Sequence, residues 1–454
     1  MSETQNTRPA DVGFVLNSTA LVWLMIPGVG YFYSGMARRK NALSLIMLCV
    51  LSAAVVSIQW FIFGYSLTFG QDGNAFIGSL KNSFFMGVEN IKSTNEKRKI
   101  PDMTFAIFQS MFAAITPALA IGSGAERGRI LPAIIFIFVW TTLVYDPIAH
   151  WVWSPDGWAT NSLDFAGGTP VHISSGAAAL AYCMLLKKRN KEDQEEFRQH
   201  NVTYTVLGTV LMWFGWFGFN GGSALSASPR AVNAVIVTNL SASVGGLTWM
   251  IVDYRLEKKF SAIGFCSGAI SGLVCITPGA GYVSAPSAVL FGVLGGLMCN
   301  LATKLKNVSF LNYDDALDVF AVHGVGGFTG NLLTGIFAQQ SIASLDGRTS
   351  IRGGWLDRYW MQIVYQIEDS VAGFFYSFCI TYLILFTMKK IPVLSIRASS
   401  EIERKGIDMT EIGESAYDYI DELVKKNNKT GVTVNMPAHE PRGVEMGGNL
   451  GNET

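Results

Sequence analysis

Long apolar stretches alternate with short polar, often basic, loops along most of this chain. Eleven stretches approach or exceed the ~20 mainly apolar residues that a helix needs to cross a hydrocarbon core. They lie at about 13–35, 41–69, 102–125, 130–153, 164–186, 201–219, 232–254, 261–279, 285–303, 316–338 and 359–388. The last is long enough to tilt strongly. Backbone polar groups in lipid must be bonded within their own segment, so the runs predict helices. The expected fold class is an all-α polytopic membrane protein with eleven transmembrane helices. Pro27, Pro117, Pro147 and Pro170 are expected to kink their spans.

Composition narrows the classes further. Half of the 454 residues are hydrophobic and 15% are charged, against about 25% charged in soluble domains. Mean hydropathy is +0.31. A disordered chain, a disulfide-dense secreted module and an ordinary soluble enzyme are poor fits to these values. Basic and acidic residues balance at 34 each, so no basic excess argues for nucleic acid. The six cysteines all fall in apolar runs, where buried thiols acting as small hydrophobes are expected. The polar start, MSETQNTRPADV, does not read as a cleavable signal peptide.

Loop charge sets an expected orientation. With the N-terminus outside, the inner loops carry 18 Lys and Arg and the outer segments 10. The excess of positive charge on the inner side favours N-out, C-in. The expected organisation is an extracellular segment 1–12, a transmembrane domain 13–390 and a cytosolic tail 391–454. The tail is charged, with short helices expected near 399–405 and 415–426 and a disordered end. The Asn-x-Ser/Thr triplets at Asn201 and Asn428 fall in a span or on the inner side, so no glycan is expected there.

The chain also repeats itself. The fifth span opens DFAGGTPVHISSG and the tenth reads DDALDVFAVHGVGG. His172 follows Asp164 by eight residues, and His323 follows Asp315 by eight. Five spans separate the two segments, so they cross the membrane in opposite directions. This predicts an inverted 5+5 repeat, with halves at about 13–186 and 201–338 and the eleventh helix added. Both histidines then lie roughly 10–12 Å deep, near the bilayer midplane where such folds place transport sites. A histidine at that depth suggests function, although a single one could be a packed side chain bonded to backbone. Two His without HxxxH, HExxH or CxxC rarely complete a four-coordinate metal site, so no metal and no cofactor are expected. Phe108 and Phe112 share a helical face, where core packing is the ordinary reading. Trp153 could be an interfacial anchor, and Asp164 a helix cap. The Gly264–Gly268–Gly272 ladder reads as helix packing.

The segments IPGVGYFYSG, FQSMFAAIT, GAERGR, DFAGGTPVHISSG, GWFGFNGGSA, CSGAISGLVCITPGAGY and DVFAVHGVGG, in this order, resemble the Amt/Mep/Rh ammonium transporter family. The likeness runs from about 13 to 426, and the tail and Asp146–Pro147 look most like fungal Mep-type permeases. It implies eleven helices, a homotrimer in the plasma membrane among its lipids, and one pore per subunit. The substrate implied is ammonium or ammonia, with methylammonium as an analogue. His172 and His323 match the family's twin pore histidines. Phe108 and Phe112 are mapped on its stacked phenyl gate, and Phe219 and Trp216 on pore-lining rings. Trp153, Ser223 and Phe108 are mapped on an external cation site that Asp164 supports through loop-backbone bonds. Tyr33 and Asp318 are weaker candidates. Gly406, Asp408 and Thr410 match a regulatory tail motif that docks on inner loops, with a cytosolic kinase as the partner implied. The rival classes are an intramembrane protease built on Ser223 and a membrane histidine, an ammonium sensor and a Rh-type gas channel.

Overall fold

The computed structural model describes residues 8–89, 99–190, 199–308 and 313–417. The described chain is almost wholly helical, and its one β-bridge joins Gly128 to Arg397. The main helices are α1 (Pro9–Met36), α2 (Arg39–Phe69), α3 (Asp102–Gly124), α4 (Ile130–Trp153), α5 (Gly168–Leu186), α6 (Val202–Gly222), α7 (Pro229–Glu257), α8 (Ala262–Ile276) and α9 (Ala285–Asn307). They continue with α10 (Phe320–Val325 running into Gly326–Phe337) and α11 (Gln362–Lys390). Among the described residues nine helices are long and apolar enough to cross a membrane. The two others fall where the eighth and tenth spans were expected. α8 has only 15 residues. α10 is diluted by glycine, histidine and asparagine.

α3 is the central helix of the fold. Nearly all of its span is buried, whereas only a third of α11's is. Exposed Leu, Ile and Phe side chains along α6, α7 and α11 are those of helices that face an apolar medium. Five cysteines are buried as expected, but Cys379 is exposed, because it lies on the outward face of α11.

The prolines act locally. Pro27 and Pro117 sit inside α1 and α3. Pro147 follows a π-helical turn, Thr141–Tyr145, and lacks the N–H that would bond Leu143. The Tyr376 hydroxyl donates to that carbonyl instead, at 2.9 Å. Pro170 lies in another π turn, Gly168–Ile173.

On the expected inner side, polar groups tie the loops together. Glu126 accepts from Arg38 and Arg189, each at 3.0 Å, and Arg189 also pairs with Asp314 at 2.9 Å. Burial pushes the Glu126 and Asp314 carboxyls up, but the guanidinium groups beside them hold both below the usual carboxylate range. The tail packs on these loops. A short helix, Ser400–Lys405, is followed by a π turn, Asp408–Ile412. Residues 415–417 are not helical, and the rest of the helix expected at 415–426 lies outside the described residues, as does Asn428.

Candidate functional site

α5 and α10 cross in opposite directions. Gly168 lies against Asn331, Gly327 against His172, and Gly176 against Gly324. As the number rises on one helix it falls on the other. A Cβ on Gly176 would collide with the backbone nitrogen of Gly324, so the approach requires a residue without a side chain at this point.

Each helix begins in the same way. The Asp164 carboxylate accepts from the backbone N–H of Gly167, Gly168 and Thr169, all at 2.7 Å. Asp315 accepts from Phe320 at 2.8 Å. In both cases an acidic side chain bonds the N–H groups left free at a helix start. Each opening turn is π-helical, Gly168–Ile173 and Phe320–Val325, and each contains the histidine. Widened turns of this kind concentrate at functional positions because they re-aim one side chain.

The two imidazoles meet. His172 Nδ1 and His323 Nδ1 are 3.2 Å apart and the rings are nearly parallel, at 28° and 5.3 Å. Both are buried. A hydrogen bond between two Nδ1 atoms needs one donor and one acceptor, so when both rings are neutral they are opposite tautomers. His172 Nε2 has no partner among the described residues.

Aromatic rings continue the line from His172 toward the Trp153 end of α4. Trp216 stacks on His172 at 5.5 Å and 22°, its N–H held by Thr277 at 3.0 Å. Phe219 lies 6.1 Å from His172 and 4.3 Å from Phe112. Phe112 in turn meets Trp153 edge-on at 5.8 Å. The expected stack of Phe108 on Phe112 is not the arrangement found. Those rings meet edge to face, at 67° and 5.0 Å. Residues on successive turns of one helix project side by side, so a ring facing Phe112 has to come from another helix, here Phe219 of α6. The family resemblance implies a pore-lining place for Phe219 but gives no sign of which ring it opposes.

Trp153 is fixed by its own N–H, which donates to the Asp164 carbonyl at 3.0 Å. Ser223 Oγ donates to Phe219 O at 2.8 Å, leaving its lone pairs free to accept. Phe108 packs against Gly222, one residue before Ser223. On the other side of the histidines, a narrow cavity of about 20 Å³, room for about one water, reaches His323 past Tyr33 and Asp318. Asp318 is paired there with Lys306 at 2.7 Å. Ser223 and His172 do not meet; the Ser223 hydroxyl bonds within its own helix.

Two of the three tail residues reach the start of α2, and the third bonds within the tail. Gly406 has φ +101°, and a Cβ there would strike Lys40 O. Asp408 accepts from the N–H of Leu43 at 2.9 Å and Ser44 at 2.8 Å, capping the α-helical part of α2. The exposed Thr410 donates to Gly406 O at 2.7 Å. Glu411, not singled out in the sequence, accepts from Ile130 N and pairs with Arg129, both at 2.7 Å, at the start of α4. No group of three or more His, Cys, Asp or Glu that could hold a metal occurs among the described residues.

The profile of the Ammonium Transporter Family matches residues 13–417. "Ammonium transporter 1" of Schizosaccharomyces pombe is 52% identical over 414 residues, 90% of this chain and 83% of that protein. "Ammonium transporter MEP2" of Saccharomyces cerevisiae is 43% identical over 447 residues, 95% and 88% of the two chains. The crystal structure of Candida albicans Mep2 superposes with a TM-score of 0.83 at 45% identity, covering 92% of each chain.

Proposed function

Since the chain belongs to the ammonium transporter family and is a multi-pass helical membrane transporter of ammonium rather than an enzyme, we propose that it takes up NH4+ across the plasma membrane through the ring-lined path ending at the paired histidines. The proposal includes eleven spans in an inverted 5+5 repeat plus α11, N-out and C-in, assembled as a homotrimer. The division into segment 1–12, domain 13–390 and tail 391–454 belongs to the same reading.

The physical problem is charge. A bare cation in hydrocarbon costs several kcal/mol at the least. Losing a proton is cheaper. Alkylammonium pKa values are about 10.4 and that of ammonia is somewhat lower, so deprotonation near pH 7 costs roughly 3–4 kcal/mol. In this reading NH4+ rests outside against the Trp153 indole and Phe108, with the Ser223 oxygen accepting an N–H. At the Phe112–Phe219 constriction, which takes the gate role expected for Phe108 and Phe112, it gives up its proton to water on the outer side or, where charge is carried, to the His172–His323 pair. NH3 then passes Trp216, His172 and His323. K+ has no proton to release and is refused. Asp164 supports the outer end by fixing the carbonyl that holds Trp153.

The carrying observation is the buried 3.2 Å imidazole pair at the end of a continuous column of rings. The test is uptake of labelled methylammonium into liposomes containing the purified protein. Saturable uptake is expected, with a half-saturating concentration raised about fivefold or more in Trp153→Leu, since an indole–cation contact is worth ~1–2 kcal/mol. Uptake no greater than into empty liposomes overturns the reading.

The tail is proposed as a regulator through Gly406, Asp408 and Thr410. A phosphate on Thr410 would add about −2 charge beside Asp408 and Glu411, whose carboxylates cap α2 and α4. Repulsion would loosen both caps. Uptake is expected to fall in Thr410→Asp and to persist in Thr410→Ala; full uptake in Thr410→Asp contradicts the switch. Methylammonium as an alternative substrate and a cytosolic kinase as the modifying partner complete the proposal.

A further inference from the structure

α11 is the least buried of the long spans, yet its first half carries an inward polar stripe. Gln362, Gln366, Asp369 and Ser370 are all buried. Their spacing of four, three and one places them on one helical face. An isolated polar side chain in lipid is costly, so a stripe of four implies a partner surface.

That surface is the stretch 161–169 and the neighbouring end of α10. Gln362 Nε2 donates to Asn161 O at 2.9 Å. Gln366 grips Leu163 twice: its Oε1 accepts from Leu163 N at 2.6 Å and its Nε2 donates to Leu163 O at 3.0 Å. Asp369 Oδ2 accepts from Thr169 Oγ1 at 2.7 Å and lies 3.0 Å from Ser162 Oγ. Thr169 Oγ1 in turn accepts from Asn331 Nδ2 at 2.8 Å, and the same amide donates to Ser370 at 2.8 Å. Asp164 therefore lies between two clamped points, Leu163 before it and Thr169 after it. The Asp164 carbonyl holds the Trp153 indole, and its carboxylate starts the turn bearing His172.

We propose that Gln366 and Asp369 of α11 are positioning residues for the outer ammonium site. They fix the 162–169 stretch and, through Asp164, set the Trp153 ring against which the cation rests. α11 lies outside the two repeat halves, and this clamp gives the added helix a role in transport. A paired side-chain amide matched to both backbone groups of one residue constrains position and rotation together, which a single bond or apolar packing would not. The inference rests on the recruitment role proposed above for Trp153.

The test compares Gln366→Leu, Asp369→Leu and Asp369→Asn in full-length protein, measuring methylammonium uptake into liposomes and the melting temperature. Asn keeps an oxygen able to accept from Thr169, so it is the conservative variant. The expected result is a half-saturating concentration raised about fivefold or more in both Leu variants, as for a lost buried hydrogen bond, with maximal uptake largely kept and Asp369→Asn close to wild type. Wild-type half-saturation in both Leu variants overturns the proposal. So does a fall in maximal uptake with a lowered melting temperature and unchanged half-saturation, which is the signature of a purely structural stripe. If the wild type saturates but Trp153→Leu does not raise its half-saturation, the recruitment reading fails and takes the route through the Trp153 ring with it. A raised half-saturation in Trp153→Leu beside unchanged α11 variants overturns the clamp alone.

Discussion

Ammonium-evoked current through a His172→Ala protein is expected to fall about tenfold or more, because the change strands a buried donor or acceptor at a cost of ~1–3 kcal/mol. In the intact protein His323 Nδ1 faces His172 Nδ1 at 3.2 Å, in a region closed to solvent. With that partner gone, the remaining ring keeps a desolvated polar atom beside a void. Among the described residues the two imidazoles are the adjoining titratable groups in the column, which otherwise consists of Phe and Trp rings. A proton passing between His172 and His323 needs both rings, whereas a neutral ammonia molecule needs only space. Current and methylammonium uptake measured together therefore separate two modes. Lost current with uptake retained marks a relay through the pair, with net charge carried. Unchanged current in the variant refutes the relay. A melting temperature close to wild type is needed to tie either result to the pathway.

Gly176→Val is expected to have the largest effect on folding. The added Cβ would collide with the Gly324 backbone nitrogen, and that neighbour is main chain, which cannot swing aside. Overpacking of a close contact costs typically ~1–3 kcal/mol and more when backbone must move. The clash lies one helical turn from His172 and one residue from His323, so relief by separating α5 from α10 also pulls the imidazoles apart. A lowered melting temperature in detergent and uptake reduced to near the level of empty liposomes are expected. A protein that melts and transports like wild type contradicts the described crossing. Gly176→Ala makes the same test with a smaller group and a smaller expected loss.

How much of this was legible differed by the kind of physics involved. The long helices follow from a requirement that every residue of a span shares, namely enough apolar length, so nine of them stand out among the described residues. α8 and α10 were expected on the same criterion of apolar length, yet as helices neither satisfies length and apolarity together. The histidines stood out because the same offset of eight from an aspartate occurs twice. Their contact required the glycine crossing, which local sequence does not describe. The Phe112–Phe219 pairing was missed for a related reason. Helical periodicity relates residues on one helix, and the facing ring belongs to a helix about a hundred residues later. Tail capping by Asp408 and Glu411 likewise joins residues several hundred positions apart, beyond any local capping pattern. The polar stripe of α11 was different. Gln362, Gln366 and Asp369 recur at helical spacing inside an apolar run, and that signal was available without coordinates. Tyr376 completing the carbonyl exposed by Pro147 was foreseeable only as a kink in need of some donor.

The most direct test of the central claim is a nitrogen–nitrogen correlation in 15N-histidine-labelled protein, held in lipid bilayers and measured by solid-state NMR with and without ammonium. With only five histidines in the chain, the His172 and His323 signals are assignable by single substitution. The account predicts a short-range Nδ1–Nδ1 cross-peak that disappears in His172→Ala and shifts when ammonium is added. A wild-type protein with no such cross-peak, or with one that ammonium leaves unmoved, contradicts a shared ammonium pathway through the two rings.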